Sequence, residues 1–340
     1  MKCVVTGATG HIGNVLVRNL YHHGYEITAV VLPYDDISMI EAFSTIAYGN
    51  ILDSAFLETV FLNTEIVFHL AGIVEIGSGK KTLINLINVE GTRNVLNAAI
   101  KCNVKRLVYT SSVHAIPELP KPQLQSEITE FDPDKVKGLY AKSKALATKI
   151  VLEQKEGPMD IIVVQPSGVI GPSDYKMSNT SQMFIDFMLG RLTAYLKGGY
   201  NFVDVRDAAD GIRLAAERGR RGECYILSGS EITVKQLLDE IAKSSGKKRI
   251  KTKLAYWFIL AMSYFAEIYY KVVRQKPLFT RYSIIVLNSN YHFSNAKAVN
   301  ELGYTTRDIK KTIHDTMDFI RERHLDKHDT KYRKKRFKND

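Results

Sequence analysis

Cysteine is scarce in this sequence. The 340 residues include Cys3, Cys102 and Cys224, and no two of them form a C-x-x-C pair. An odd and scattered set of cysteines is typical of a reducing compartment, and it excludes a disulfide framework or a cysteine-based metal site. The first predicted strand begins at residue 2, so we also expect no secretory signal peptide. Together these features predict a cytoplasmic protein without a bound metal.

Long hydrophobic runs are also lacking. The most apolar stretch, residues 254–266, is shorter than the roughly 20 residues that a membrane-spanning helix needs. We expect this stretch to form a buried helix of a second lobe. The alternative is that residues 254–273 lie at a membrane surface or against an apolar substrate.

Acidic residues are outnumbered, and the net charge is +11. Residues 327–338, within a basic tail at residues 325–340, carry seven lysines and arginines against one acidic residue, which is +6 of the +11. The chain before the tail is only mildly basic. We therefore expect no nucleic-acid partner. The tail is expected to be solvated or, together with residues 254–273, to make a weak contact with an anionic membrane surface. Its basic residues are Lys327, Lys331, Arg333, Lys334, Lys335, Arg336 and Lys338.

Segments typical of strands and helices alternate through the first half of the chain. Several of the strands are continuous apolar runs, as in a parallel sheet that is covered on both faces. The pattern predicts an α/β fold with a doubly wound parallel sheet, in which ligands bind beyond the carboxyl ends of the strands. The predicted strands are 2–6, 26–32, 44–48, 65–70, 106–110 and 160–165, and the predicted helices are about 12–23, 53–61, 81–102 and 138–155.

The alternation weakens after Pro166. Residues 168–181 are predicted to form a loop, Asp207 is predicted to cap a helix that ends near Gly219, and the chain beyond residue 228 is predicted to be mostly helical. The expected organisation is a Rossmann domain of residues 1–165 plus about 203–227, a smaller and mostly helical substrate lobe of residues 166–202 and 228–324, and the tail.

A glycine turn follows the first predicted strand. Residues 7–13 read Gly-Ala-Thr-Gly-His-Ile-Gly. Gly7 lets the chain turn sharply, Gly10 lets backbone N–H groups approach a pyrophosphate, and Gly13 allows close packing of a helix on the strand. The turn therefore predicts a dinucleotide at the N-terminus of the following helix.

Three polar side chains further along indicate proton chemistry. Tyr140 and Lys144 have the i, i+4 spacing of one helix face. An ammonium near a phenol lowers the pKa of the phenol, so Tyr140 could exchange a proton with an oxygen that changes between carbonyl and alcohol. Ser112, just beyond a predicted strand, could hydrogen-bond the same oxygen. The alternative is that this serine only satisfies local backbone groups.

With these motifs in this order, the chain resembles the extended short-chain dehydrogenase/reductase family, of the NAD-dependent epimerase/dehydratase type. The resemblance extends to about Arg323. It is closest to the branch of dihydroflavonol reductases and 3β-hydroxysteroid dehydrogenases, and the hopanoid-associated sugar epimerases are also similar. Further matching segments are 69–72 (HLAG), 88–92 (NVEGT), 166–172 (PSGVIGP), 202–207 (FVDVRD) and 293–304 (FSNAKAVNELGY).

The resemblance implies roles for these residues. Tyr140 is the general acid/base, Lys144 lowers its pKa and holds the nicotinamide ribose, and Ser112 binds the substrate oxygen. The resemblance also implies cofactor contacts at Gly7, Thr9, Gly10, His11, Ile12, Leu32, Asn50, Ile51, Leu70, Ala71, Gly72, Asn88, Tyr140, Lys144, Pro166 and Val169.

The implied cofactor is NAD or NADP. An acid at the end of the second strand would bind the ribose 2′-OH of NAD, whereas an arginine there would bind the 2′-phosphate of NADP. These two positions hold Val31 and Leu32, so neither signature is present. Asp35 and Asp36 would repel a 2′-phosphate if they lie close to it, or else they belong to a solvated loop. We favour NAD slightly.

By resemblance, the function is an NAD(P)-dependent oxidoreductase that interconverts a secondary alcohol and a ketone on a fairly apolar small molecule. The first alternative is a nucleotide-sugar epimerase with retained NAD; the second is a non-catalytic dinucleotide-binding sensor. His114 occupies part of the place where sugar-nucleotide dehydratases carry an acidic pair, and it could touch substrate.

A homodimer through the Tyr140 helix is also expected. Cations that could hold a sugar diphosphate are Lys176, Arg191, Lys197, Arg206 and Arg281.

Overall fold

A computed structural model describes residues 1–74, 81–256 and 287–323. Within these ranges the strands are β1 Lys2–Thr6, β2 Glu26–Val31, β3 Thr45–Tyr48, β4 Ile66–His69, β5 Arg106–Thr110, β6 Asp160–Pro166, β7 Gly168–Ile170, β8 Ala194–Leu196, β9 Gly199–Asp204, β10 Cys224–Leu227, β11 Ser230–Thr233 and β12 Thr252–Leu254. The α-helices are α1 His11–His22, α2 Ser54–Phe61, α3 Lys81–Asn85, α4 Gly91–Lys101, α5 Leu139–Leu152, α6 Asn179–Met188, α7 Val205–Arg218, α8 Val234–Ser245 and α9 Ile309–Glu322. Short 3₁₀ turns cover Val113–Ala115 and Pro133–Lys135, and π-helical turns cover Leu86–Glu90 and Ala298–Leu302.

Seven parallel strands form the central sheet of the described chain, in the order β10-β6-β5-β4-β1-β2-β3. Successive residues of β1 point to opposite faces, so Val5 packs in the cluster that contains Leu16 of α1, and Val4 packs in the cluster that contains Leu57 of α2. Helices cover both faces. The predicted doubly wound parallel sheet is confirmed.

The strand order reverses between β1 and β4, because β2 and β3 extend the sheet on one side of β1 while β4 begins the other side. In open parallel sheets, such a reversal leaves a crevice beyond the carboxyl ends of the two strands. The glycine turn after β1 and the segment after β4 therefore border one crevice. All six strands predicted in the first half are present, and their ends agree within two residues.

Two predictions for the second half were wrong, and one strand of the central sheet was not predicted. That strand is β10, which pairs with β6. The predicted loop 168–181 contains β7 and the start of α6. Beyond residue 228, the described residues form α8, α9 and a π-helical turn together with the two short strands β11 and β12. The cap of α7 is Asp204, whose side chain accepts a hydrogen bond from the backbone N–H of Arg206 at 2.8 Å. Asp207 lies in the first turn of that helix and accepts instead from the N–H of Arg307, at 2.6 Å.

A third apolar cluster lies outside the central sheet. It joins α6, α8 and α9, and it contains Phe184, Phe187 and Met188. These residues are core, so their apolar character does not by itself indicate an apolar substrate. The proposed division into a Rossmann domain and a substrate lobe stays a prediction.

Two predictions fall outside the described residues: the basic tail, and most of the apolar segment 254–273. No helix in the described part of the chain is long and apolar enough to cross a membrane.

Candidate active site

The glycine turn has the geometry that its sequence predicts. Gly7 has φ +72°, and a side chain there would meet the backbone N of Ala71 at 2.6 Å. A side chain on Gly13 would meet the carbonyl O of Gly7 at 2.1 Å, so the helix packs directly on the turn. Gly10 directly precedes α1 as its N-cap, and the nearest atom to a side chain there would be Gly7 O, at 3.1 Å. The N-terminus of α1 is thus left open for a ligand.

A chain of hydrogen bonds supports the segment after β4. The backbone N–H of Ala71 donates to Thr6 Oγ1, and His69 lies between Thr6 Oγ1 (2.7 Å from Nδ1) and Thr92 Oγ1 (3.0 Å from Nε2). Thr92 in turn donates to the carbonyl of Asn88 at 2.8 Å. Because Thr92 donates its own proton to Asn88, it accepts from His69, so Nε2 of His69 carries a proton. Burial, with repulsion from Lys144, lowers the pKa of His69 to about 3.

Asn88 is a positioning residue in this arrangement. Its side chain accepts from the N–H of Ile73 at 2.8 Å and donates to the carbonyl of Ile73 and to Ser143 Oγ, each at 3.0 Å. The amide therefore ties the segment after β4 to α5. A side chain on Gly72 would approach Asn88 Oδ1 at 3.2 Å and Lys144 Nζ at 3.5 Å. The absence of a Gly72 side chain keeps this part of the crevice open.

Helix α5 carries both predicted motif residues and is held against the end of β5. Lys144 Nζ donates to the carbonyl of Thr110 at 2.8 Å and lies 5.0 Å from the ring centre of Tyr109. One turn later, Thr148 shares a 2.6 Å hydrogen bond with Ser111. The helix therefore brings Tyr140 and Lys144 to the carboxyl end of the sheet, where the Tyr140 hydroxyl lies near enough to Ser112 for the serine to lower its pKa.

Burial dominates the acidities of this group. It raises the pKa of Tyr140 to about 12, against an opposing hydrogen bond with Ser112, and it lowers the pKa of Lys144 to about 8. The expectation that Lys144 lowers the pKa of Tyr140 is not met in this structure, because the desolvation of the phenol is the larger effect. The lysine ammonium is instead directed to the Thr110 carbonyl.

His114 and Tyr200 form a second polar pair beside the first. His114 Nε2 lies 2.5 Å from the Tyr200 hydroxyl, and the ring of His114 meets the ring of Tyr140 edge to face, with centres 6.1 Å apart. The backbone N–H of His114 donates to Ser112 Oγ at 3.2 Å. Burial lowers the pKa of His114 to about 4, so the ring is neutral near pH 7. The ring of Tyr200 packs on Gly168, where a side chain would clash at 2.4 Å.

Tyr200 was missed as a site residue in the sequence analysis. It belongs to β9, far along the chain from the motif residues, and the one local signal was the turn Gly198-Gly-Tyr-Asn-Phe202 that leads into the matching segment 202–207.

Asp35 and Lys176 meet at the other end of the crevice. Lys176 Nζ donates to Asp35 Oδ1 at 2.8 Å and to Thr9 Oγ1 at 2.9 Å, and Thr9 donates to Asp35 Oδ2 at 2.8 Å. Burial alone would raise the pKa of Asp35, but the hydrogen bonds from Lys176 and Thr9 outweigh it and hold the pKa below its ordinary value. Asp35 is therefore not in a solvated loop. Lys176 lies beside the glycine turn.

The other predicted contact residues are spread along the crevice and its walls. His11 Nε2 donates to the carbonyl of Pro172 at 3.1 Å. Asn50 is exposed and accepts from the N–H of Leu52 at 3.0 Å, whereas the side chain of Ile51 is buried in the core. The remaining ones are Ile12, Leu32, Leu70, Pro166 and Val169, of which Pro166 is buried and the others are partly buried.

A nicotinamide dinucleotide fits this arrangement on two grounds. The side of the glycine turn at Gly10 is open toward the N-terminus of α1. Thr110 is the last residue of β5 and Ser167 directly follows β6. Their hydroxyls are buried, and neither has a hydrogen-bond partner among the described residues. Such buried unpaired groups need a partner, which a ligand in the crevice would supply.

The fold and this crevice define a dinucleotide-binding enzyme. The sequence model of the NAD dependent epimerase/dehydratase family matches residues 3–227, and the chain belongs to this family. The predicted enzyme class and nicotinamide cofactor are thereby confirmed at the level of the family. The roles predicted for individual residues stay predictions.

Relatives over the whole length agree with the branch expected from the sequence. The chain is 28% identical to "Sterol demethylase protein B" of Methylococcus capsulatus, over 95% of this chain and 99% of the relative. It is 29% identical to a "Putative dihydroflavonol 4-reductase" of Synechocystis, over 93% of each. Among solved structures, gox2253 is 32% identical with a TM-score of 0.84, over 95% of this chain and 98% of the other.

A nucleoside-diphosphate-sugar epimerase from Pseudomonas aeruginosa is also similar in structure, with a TM-score of 0.79 at 21% identity over 96% of this chain and 99% of the other. This likeness shows the shared fold.

Proposed function

We propose that the enzyme interconverts a secondary alcohol and a ketone on a largely apolar molecule. The observation that carries the proposal is the position of α5, which brings Tyr140 and Lys144 to the end of β5 beside Ser112. One phenol, one hydroxyl and one ammonium are then available at the point where the strands end.

Each of these three side chains has one task in the proposed reaction. The hydroxyl of Tyr140 gives a proton to the substrate oxygen in ketone reduction and takes it back in alcohol oxidation. Ser112 Oγ donates a hydrogen bond to the same oxygen and so stabilises its developing charge. Lys144, with a pKa of about 8, is mostly protonated near pH 7 and provides the positive charge in this buried place.

The glycine turn, the segment 70–72 and Lys144 are the groups that would hold the dinucleotide. When bound, the nicotinamide supplies the hydride acceptor or donor for the substrate carbon. Burial of the phenol alone leaves it a weak acid, since its pKa is about 12. We infer that the complete site, with positive charge close to the phenol, is needed to bring this pKa toward the working range.

The arrangement of cations favours the oxidoreductase over the epimerase. A sugar diphosphate needs cationic side chains to bind it. Three of the five candidates are already paired: Lys176 with Asp35, Arg191 with Asp186 and Arg206 with Asp204. Arg281 lies outside the described residues, and Lys197 is exposed.

The names of relatives support an apolar substrate. Besides the sterol demethylase protein, the chain is 25% identical to a "3-beta-hydroxysteroid dehydrogenase" of Mycolicibacterium neoaurum. A 3β-hydroxysterol is a secondary alcohol on an apolar ring system. We therefore propose sterol-like alcohols as the first substrates to examine.

The test is a substrate panel with purified full-length protein. Sterol-like 3β-alcohols, their ketones and dihydroflavonols are each incubated with NAD(H) or NADP(H), and the absorbance of the reduced nicotinamide is followed. UDP-sugars are assayed in parallel for epimerisation. Turnover of an alcohol or ketone that is lost in Tyr140→Phe supports the proposal. Epimerisation of a UDP-sugar without net change in absorbance would replace it with the epimerase function.

The nucleotide that accompanies the purified protein separates the same two functions. An epimerase regenerates its NAD in each cycle, so NAD released on denaturation in a one-to-one ratio to protein would favour that alternative. Protein that is purified empty and then binds NADH or NADPH reversibly would favour the exchanging oxidoreductase.

Two partner proposals complete this function. A homodimer through α5 rests on the family resemblance, and the exposed residues Lys142 and Lys149 of that helix are polar; sedimentation velocity tests it. A weak contact with anionic membranes rests on residues 254–273 and the basic tail. Pelleting with anionic vesicles tests it, and equal pelleting of a chain that ends at His324 would exclude the tail.

A further inference from the structure

The segment 172–176 lies across the glycine turn. His11 Nε2 donates to the carbonyl of Pro172 and Asn14 Nδ2 donates to the carbonyl of Ser173, each at 3.1 Å. Lys176 Nζ completes the contact at Thr9 Oγ1, 2.9 Å away. A lysine from the chain beyond the sheet strand β6 is thereby placed at the cofactor turn.

The segment that carries Lys176 is fixed by its own contacts. The buried Asp174 accepts from the backbone N–H of Ser178 at 2.8 Å and from Ser181 Oγ at 2.6 Å. Ser173 and Met177 both have positive φ, +70° and +50°, and Met177 is buried in an apolar cluster. Side chains hold this unusual backbone in place, so the position of Lys176 is determined by the fold.

The Asp35–Lys176 pair lies after the second strand, where dinucleotide-binding folds bind the adenosine ribose. The acid that binds the ribose 2′-OH in such folds follows the glycine motif by about 20 residues, at the end of the second strand. Asp35 follows β2, and its Oδ2 also accepts from the backbone N–H of Leu32 at 3.3 Å. Val31 and Leu32 themselves provide no charge there.

The hydrogen bonds of Asp35 and Lys176 do not use all the acceptor and donor positions of the two side chains. The carboxylate of Asp35 accepts from Thr9, Leu32 and Lys176, and a carboxylate can accept about four hydrogen bonds. The ammonium of Lys176 donates to two of these groups and has three protons. Among the described residues, one acceptor position of the carboxylate and one ammonium proton have no partner. A ribose hydroxyl can donate to the carboxylate, whereas a dianionic phosphate has no proton to donate and meets a like charge.

We infer that Asp35 and Lys176 together select NAD over NADP. Asp35 accepts from a ribose hydroxyl and repels a 2′-phosphate, while Lys176 is a phosphate-binding cation whose charge Asp35 neutralises. The inference rests on the proposed function in one respect, namely that a nicotinamide dinucleotide binds at the glycine turn. It adds a residue outside β2, Lys176, to cofactor selection.

The test is calorimetric binding of NAD and NADP to the full-length protein, which needs no substrate. Four proteins are compared: the wild type, Asp35→Asn, Lys176→Met and the double variant. We expect the wild type to bind NAD more tightly. In Asp35→Asn the affinity for NADP relative to NAD rises about tenfold or more, because repulsion is removed and Lys176 is released. In the double variant this gain is largely lost.

A matched control removes the same charge from the neighbouring residue. Asp36 is exposed, and its carboxylate accepts from the N–H of Ser38 at 3.0 Å. We expect Asp36→Asn to change the NADP/NAD ratio less than about threefold, since an exposed charge is screened.

Three outcomes would overturn the inference. The first is a ratio in Asp35→Asn that stays within about twofold of the wild type. The second is a gain that persists unchanged in the double variant, because the phosphate is then bound by another group. The third is a wild type that prefers NADP. If the wild type binds neither nucleotide, the proposed cofactor site fails and this inference with it, whereas NAD binding with an unchanged ratio refutes the inference alone.

Discussion

The two ends of the crevice differ in how their ionisable side chains are stabilised. At the end where we propose that the reaction takes place, called the reacting end, Lys144 and His69 are buried and Tyr140 and His114 are partly buried. Desolvation is the largest cause of each pKa shift there. At the end that we propose for the adenosine ribose, called the adenosine end, the Asp35 carboxylate and the Lys176 ammonium are paired, and the lysine side chain is about half exposed. At the first end, desolvation therefore decides the protonation state of each group, whereas the second end holds a fixed pair of opposite charges.

Both ends are completed by residues from beyond β6. Tyr200 reaches His114 beside Tyr140, and Lys176 reaches Asp35 beside Thr9. We therefore expect substitutions at the reacting end to have large effects on turnover. Substitutions at the adenosine end are expected to have small effects on stability.

The largest expected effect is that of removing the Tyr140 hydroxyl. Tyr140→Phe keeps the ring and removes the proton donor, so we expect turnover of the substrate found in the panel to fall by about 10²–10⁴-fold. Nucleotide affinity, measured by calorimetry, should change little. Tyr21→Phe is the control, because Tyr21 is an exposed residue of α1. Turnover within about threefold of the wild type in Tyr140→Phe would contradict the proposed role.

Acid should destabilise the protein through the reacting end. The pKa values of His69 and His114 fall from 6.5 to about 3 and about 4 on folding. The unfolded chain therefore takes up protons first, and stability is fully present above pH 6.5 and declines as the pH falls toward the folded values. At pH 5 the loss is about 2 kcal/mol for each histidine.

Urea unfolding between pH 7.5 and 5 measures this loss. In His114→Gln we expect the free energy of unfolding to depend less steeply on pH, because about one proton fewer is taken up on unfolding. In His22→Gln we expect the same pH dependence as in the wild type, since His22 is exposed on α1. Equal slopes in all three proteins would show that His114 does not contribute. The pKa of Asp35 is also lowered on folding. The stability that Asp35 contributes is therefore lost only at a more acidic pH than that of the histidines, as the pH falls through the folded pKa of Asp35.

The third prediction concerns Tyr200, which links the reacting end to β9. Tyr200→Phe removes one hydrogen bond to His114 and keeps the ring on Gly168. We expect KM to rise about two- to tenfold and kcat to change less, because the hydroxyl positions groups at the substrate and transfers no proton itself. A fall in kcat as large as in Tyr140→Phe would instead make Tyr200 part of the proton chemistry. Tyr195→Phe, in β8, is the control.

The smallest expected effect is on stability at the adenosine end. Lys176→Met breaks an ion pair whose lysine is about half exposed, so we expect the free energy of unfolding at pH 7.5 to change by less than about 1 kcal/mol. Urea unfolding measures it. A loss of several kcal/mol would mean that the pair supports the fold, and the contrast between the two ends would disappear.

The sequence predicted the first half of the fold closely because its signals are local. Apolar runs, the glycine turn and the Tyr140–Lys144 spacing each lie within a few residues. The strand β10 could not be found in the same way, since its apolar run of four residues gains its meaning from pairing with β6. Asp204 and Asp207 are both plausible caps in the sequence, and the extended backbone of Asp204 decides between them.

In the candidate site, too, the features with a local sequence signal were predicted and those that depend on distant contacts were not. Ser112, Tyr140 and Lys144 were found from motifs, but their acidities were not, because desolvation depends on what the whole fold packs around each group. Tyr200 and Lys176 contact the site from elements that lie far along the chain from His114 and Asp35. A contact between distant elements leaves no pattern within either segment.

The order of strands has a consequence for synthesis on the ribosome. Strands β1 to β6 and helix α5 are complete when residue 166 has been made, but β10, which covers the outer edge of β6, ends at Leu227. At about 5–20 residues per second, that edge stays unpaired for several seconds. It carries the apolar run Ile161-Ile162-Val163-Val164, the kind of open strand edge that recruits other chains. We therefore expect the nascent protein to be most prone to aggregation after α5 has formed and before β10 has paired with β6.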